Sequence, residues 1–191
     1  MMNKWLVNWV KGFVKKTFDK ADLKYHDTPF FYEYHLKPAA RIGKDLAKKY
    51  GADEKVVEVA LLLHDIGLTQ SVENEEHGVT GARMVEEILR SKGCSQDFIN
   101  KVASCVLKHS CKEHLPVSKE ERIVATADAL SHLTTPWFFI KFRFTNKSVA
   151  EQMKWTFKKV EEDYGKIQFH EEKENAKESL RFIKGIFENE N

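Results

Sequence analysis

A chain of 191 residues is long enough to bury one sizeable core and short for two. With 42% hydrophobic and 31% charged residues it has the make-up of a folded helical protein, not a disordered one. The net charge of +2 gives no electrostatic case for nucleic acid, and the cysteines, Cys94, Cys105 and Cys111, lack C-x-x-C spacing and read as structural thiols in a reducing cytoplasm.

From Met1 to Phe18, aromatic and aliphatic residues alternate with Lys4, Lys11, Lys15 and Lys16. No apolar run there is long enough for a secretory signal or a membrane span. The expectation is an amphipathic helix that packs its aromatic face on the domain or on a second subunit, in preference to one resting on a membrane surface. Asp27-Thr28-Pro29 then opens an aromatic segment leading to His35. Pro38 is tolerated only in a first helical turn, so a helix is expected from near His35 to Tyr50, stopped by Gly51.

Asp53 caps the next helix, with Val56, Val59, Ala60 and Leu63 on one face and Gly67 as its stop. A polar loop, Thr69 to Glu76, separates it from a helix running from His77 to Gly93. Within that helix Gly81 lies one turn beyond His77 and leaves room for a metal, a ligand or a neighbouring helix. Ser95 caps another helix, whose stripe of Ile99, Val102, Val106 and His109 points inward. Ser118-Lys119-Glu120-Glu121 is a capping box. It opens a helix with Ile123, Ala127 and Leu130 on the core side and Val124, Asp128 and His132 on an adjacent flank, broken at Thr134-Thr135-Pro136.

The segment Trp137 to Lys147 mixes aromatics with cations. Such a mixture can stack single-stranded nucleic acid, but a half-buried helix or subunit contact is the preferred reading. A second capping box, Ser148 to Glu151, starts a helix with Val149, Met153, Phe157, Val160 and Tyr164 in register and Gly165 at its end. Ala176, Leu180, Ile183 and Phe187 mark the last one. No stretch alternates with period two. The expected fold is all-α, in one domain over residues 1–191, with a core at about 30–135 and the C-terminal helices of 136–191 packed on it.

Leu61-Leu62-Leu63-His64-Asp65-Ile66-Gly67 places an imidazole and a carboxylate at the end of an apolar run. Burying that carboxylate costs several kcal/mol unless a cation or a metal compensates. Four further residues on helical segments offer ligands: His35, His77, His109 and Asp128. With them the order becomes H…HD…H…H…D, which resembles the HD-domain superfamily of metal-dependent phosphohydrolases over roughly Tyr34 to His132. The strings LLLHDIG, HGVTGARMVEEIL, VLKHS and ATADAL carry the same resemblance.

The resemblance implies an HD-type helical bundle with added terminal helices. It also implies that His35, His64, Asp65 and Asp128 hold one divalent ion, and that His77 and His109 hold a second, with Asp65 bridging and catalytic. Imidazole–carboxylate sets suit Fe, Mn, Co, Ni or Zn without selecting among them, and Mg also belongs among the expected ions. His132, one turn after Asp128, is expected just behind the ligands. His26, His114 and His170 lack any such context.

Relatives place Glu or Lys three residues after the HD aspartate, for proton transfer or for phosphate. Leu68 stands there in this chain, so another cation must hold phosphate. Lys108 and Arg41 are the expected ones, ahead of Lys37, Arg83 and Lys112.

The expected activity is hydrolysis of a phosphomonoester, phosphodiester or pyrophosphate bond in a nucleotide or related small molecule by a metal-activated water. The alternatives are a mixed-valent di-iron oxygenase using the same ligands, and a non-catalytic, metal-stabilised module that binds a nucleotide or partner through Trp137 to Phe144. The terminal aromatic helices are candidates for a homo-oligomer contact.

Overall fold

The computed structural model describes residues 2–20, 30–70 and 76–187, and every described regular element is helical. Asp27-Thr28-Pro29, His26 and most of the 69–76 loop lie outside the described residues. In order come α1 (Met2–Lys20), a π-helical turn (Tyr32–Leu36), α2 (Lys37–Tyr50), α3 (Glu54–Leu63), a 3₁₀ turn (Ile66–Gln70), α4 (His77–Ser91) and α5 (Gln96–Lys108). Then follow α6 (Lys119–Leu133), α7 (Trp137–Phe144), α8 (Val149–Lys166), α9 (His170–Asn175) and α10 (Lys177–Phe187). Among the described residues no helix is long and apolar enough to cross a membrane.

The caps form where the sequence places them. The Asp53 side chain accepts from Lys55 and Val56 N–H, Ser95 accepts from Phe98 N–H, and both capping boxes close. Each satisfies backbone donors that a helix start leaves without partners.

α3 differs from the one-faced expectation. Val56, Val57 and all of Val59 to Leu63 are buried, because α1, α2, α5 and α6 pack around it. A helix apolar on every side belongs at the middle of a bundle, and this one carries the HD pair at its end. α1 covers one flank through Leu6, Val10, Val14 and Phe18, with Lys11 paired to Glu58 of α3 at 2.8 Å.

Three boundaries depart from expectation for identifiable reasons. His35 lies in the π-helical turn and α2 proper begins at Lys37, whose N–H donates to the Tyr32 carbonyl. Pro38 has no N–H and would crowd the carbonyl of Tyr34 in a continuous α-helix, and a widened turn just before it relieves that conflict.

Gly67 does not stop α3, which ends at Leu63, but lies in the 3₁₀ turn pressed against α4. A Cβ at Gly67 would stand 2.1 Å from the His77 carbonyl oxygen and 2.7 Å from the Gly81 nitrogen. The room at Gly81 is therefore taken by packing: its own Cβ would meet Val106 of α5 at 3.1 Å and Gly67 N at 3.4 Å. Gly165, expected as a terminator, is inside α8, which runs on to Lys166.

α6 is buried along both flanks from Ile123 to Leu133, between α2, α3 and α5 on one side and α8 on the other. α7 buries Trp137 and Phe138 and leaves Phe139 exposed, which is the half-buried helix expected there.

Candidate metal centre

Two helix ends prepare the imidazoles. His64 follows the last residue of α3 and His109 the last residue of α5, where backbone carbonyls run out of helical partners. Each ring folds back on its own helix. His64 Nδ1 donates to the Leu61 carbonyl at 2.8 Å, and His109 Nδ1 donates to the Val106 carbonyl at 2.6 Å. A carbonyl can only accept, so both Nδ1 atoms carry a proton and both Nε2 atoms face inward.

Ser131 does the same for His35. Its hydroxyl donates to the Asp128 carbonyl at 2.8 Å, so it accepts from His35 Nδ1 at 3.1 Å.

Those nitrogens converge. His35 Nε2 lies 2.9 Å from His64 Nε2, and the two stand 3.1 and 3.2 Å from Asp65 Oδ2. Asp128 Oδ1 is 3.4 Å from His64 Nε2 and 3.6 Å from His35 Nε2. On the other side of the same carboxylate, Asp65 Oδ1 is 3.3 Å from His77 Nε2 and 3.5 Å from His109 Nε2, and those nitrogens are 3.0 Å apart. Asp65 thus divides its two oxygens between two pairs of imidazoles.

The donor set fits divalent metal. Ligands next to each other around an ion with bonds of about 2.1 Å stand roughly 3 Å apart, close to the separations observed. Asp128 Oδ1 is a buried carboxylate oxygen with no hydrogen-bond partner, and a buried oxygen in that state calls for a cation. Four groups of buried or half-buried His and Asp qualify as metal-holding clusters, among them His35–His64–Asp65 and Asp65–His77–His109.

Protonation shows the same demand for positive charge. Burial opposes charging His64, but Asp65 and Asp128 overcome it and raise the imidazole to about 10. Burial, reinforced by His132, holds His35 down at about 4. Burial would raise Asp65 and Asp128, yet the surrounding imidazoles, and Lys166 in the case of Asp128, keep both well below the usual carboxylate range.

Behind this cluster, His132 stacks on His35 with ring centroids 4.5 Å apart, and Trp137 covers both rings. Asp163 of α8 accepts from His132 Nδ1 at 2.8 Å. Lys166 at the end of α8 is buried, with Nζ 2.5 Å from Asp128 Oδ2 and 3.2 Å from Asp163 Oδ1. Burial disfavours its charge, but the two carboxylates raise its pKa above that of a free lysine.

Nothing in the sequence marked Asp163 or Lys166 as inward. Their spacing on α8 matches an ordinary surface ion-pair ladder. The one available signal was the need of a buried Asp128 for a further cation.

The centre opens into a cavity of about 790 Å³, lined in part by Phe31, Leu68, Trp137, Trp155 and five lysines. The cations expected to hold phosphate are not brought to it. Lys108 Nζ is paired with Glu121 at 2.9 Å, and Arg41 is exposed on α2. Neither lines the cavity, whereas Lys112 does.

This helical bundle with its converging H…HD…H…H…D set defines a class: residues 32–133 match the HD domain, and the chain belongs to that family. Ribonuclease Y of Cutibacterium acnes is 37% identical over 99 residues, which are 51% of this chain and 17% of that protein. The chain therefore spans less than a fifth of that relative's length. Among solved structures, Bacillus subtilis YpgQ superposes with a TM-score of 0.71 at 16% identity, covering 98% of this chain and 94% of YpgQ. YpgQ in complex with ADP gives 0.65 at 16% identity, covering 94% and 93%. At these identities the likeness is one of fold.

Proposed function

We propose that this protein is a metal-dependent phosphohydrolase acting on a small phosphorylated substrate, in particular a nucleotide or a related compound. The observation that carries the reading is the split carboxylate of Asp65, one oxygen toward His35 and His64 and the other toward His77 and His109. His35, His64, Asp65 and Asp128 would hold one ion, and His77, His109 and the second Asp65 oxygen another. Bound there, divalent ions lower the pKa of water and polarise a phosphoryl oxygen.

The chain's own residues supply the rest. Ser131 and the Leu61 and Val106 carbonyls fix the imidazole tautomers. Trp137 and Phe31 shield the His35 ring from water. Trp137 and Trp155 give the cavity aromatic walls suited to a planar base, in keeping with the ADP seen in YpgQ. We read residues 136–187 as part of the same domain, since α8 buries Lys166 on Asp128. The free cysteines fit a cytoplasmic setting.

The test is a panel of phosphomonoesters, phosphodiesters and nucleotides, assayed with protein stripped by chelator and reloaded with Mn, Co, Ni, Zn, Fe or Mg. Metal-dependent release of phosphate or pyrophosphate from at least one substrate, reversed by chelator, is expected. Failure with every metal, together with oxygen consumption by the iron-loaded protein on a polyol or phosphonate, would assign the ligands to a di-iron oxygenase instead.

A further inference from the structure

Four of the five lysines that line the cavity come from α7 and α8. Leu68, three residues beyond Asp65, and Lys112 also line the cavity. α7 and α8 contribute Lys141, Lys158, Lys159 and Lys166, together with Glu162. α7 and α8 lie beyond the segment that matches the HD domain.

Two of these lysines are held in place by one carboxylate oxygen. Lys159 Nζ is 2.5 Å, and Lys166 Nζ 3.2 Å, from Asp163 Oδ1. Asp163 is itself fully buried and anchored by His132.

Lys166 also reaches Asp128 Oδ2, on the carboxylate whose other oxygen faces His35 and His64. An ammonium has three N–H donors. Asp128 and Asp163 take two from Lys166, leaving one for the cavity it lines, and Lys159 commits one to Asp163. Two pre-positioned ammoniums beside the imidazole–carboxylate centre form an anion site, because charge-assisted hydrogen bonds are strongest where the donors are already ordered and partly desolvated.

We propose that Lys159 and Lys166 of α8 are the substrate's phosphate-binding residues. This rests on the phosphohydrolase reading and adds to it the residues that select an anionic substrate. α8 is then a working wall of the site.

The experiment is calorimetric titration of inorganic phosphate into the metal-loaded full-length protein, with metal content measured in parallel. Lys159→Met and Lys166→Met should each weaken phosphate binding by about tenfold or more, with the metal content of wild type. Lys166→Arg should recover part of the loss.

Lys166→Met takes the ammonium from buried Asp128 and one of two from Asp163, and is the variant at risk of misfolding. Lys159 is partly exposed, and its removal leaves Lys166 to neutralise Asp163, so Lys159→Met decides the matter if the other variant does not fold. Wild-type phosphate affinity in Lys159→Met would overturn the assignment. So would loss of metal together with phosphate in a folded Lys166→Met, since Lys166 would then serve only to hold Asp128. If the metal-loaded wild type itself neither binds phosphate nor hydrolyses any phosphoester, the phosphohydrolase reading is what fails.

Discussion

Asp65→Ala is expected to abolish metal binding and turnover together. Both oxygens of Asp65 lie among four imidazole nitrogens, at 3.1–3.5 Å, and removing them takes a ligand from each half of the centre. Metal contributes several kcal/mol of transition-state stabilisation, so turnover should fall by at least about 10³-fold. Asp65→Asn is the sharper control, because it keeps the volume and removes the charge. It should also lose metal, since the neutral amide cannot offset a dication next to His64. Calorimetric titration with Mn²⁺ and the phosphoester assay report the two effects separately. Phosphoester activity surviving in Asp65→Ala would remove Asp65 from the mechanism.

Gly67→Ala should be among the most damaging single-methyl changes in the chain. Its Cβ would enter at 2.1 Å from the His77 carbonyl oxygen and 2.7 Å from the Gly81 nitrogen, and both are backbone atoms that no rotamer change can move aside. The 3₁₀ turn and the start of α4 would have to separate. Overpacking of this kind costs about 3 kcal/mol or more.

The displacement falls on His77, so loss of the ion at the His77–His109 pair is expected along with the loss of stability. Denaturant unfolding with and without metal, combined with metal stoichiometry, checks both parts. A variant within about 1 kcal/mol of wild type and with full metal content would show that the turn gives way more easily than its contacts suggest.

Several of the clustered His and Asp residues were legible in the sequence because their surroundings announce them. His64-Asp65 ends an apolar run, His109 ends an inward stripe, and Asp128 lies one turn from Val124 and His132 on a helix with a readable capping box. The helix caps were legible for a similar reason: capping is local chemistry, settled within four residues.

What escaped was long-range. Lys166 and Asp163 sit on an ion-pair ladder whose sequence is the same whether it faces water or a buried aspartate. Only the packing of α8 on α6 decides which. Lys108 and Arg41 show the converse: closeness in sequence to a ligand does not carry a side chain to the cavity. Lys108 finds Glu121 across the α5–α6 contact, and Arg41 faces outward from α2.

Gly67 was noticed for a reason the packing changes, and Gly81 for three reasons among which the packing selects the neighbouring helix. Gly67 was expected to end a helix, and Gly81 was left open among a metal, a ligand and a helix. Neither reading could anticipate that the two would press against each other.

The central claim is tested most directly by crystals of the metal-loaded protein, with diffraction collected at the absorption edge of the ion. Anomalous density is expected among His35 Nε2, His64 Nε2, Asp65 and Asp128, with a second peak against His77 and His109 once both sites are filled. Crystals of metal-loaded protein with no peak inside this cluster, or with the ion bound at some other part of the chain, would contradict the account.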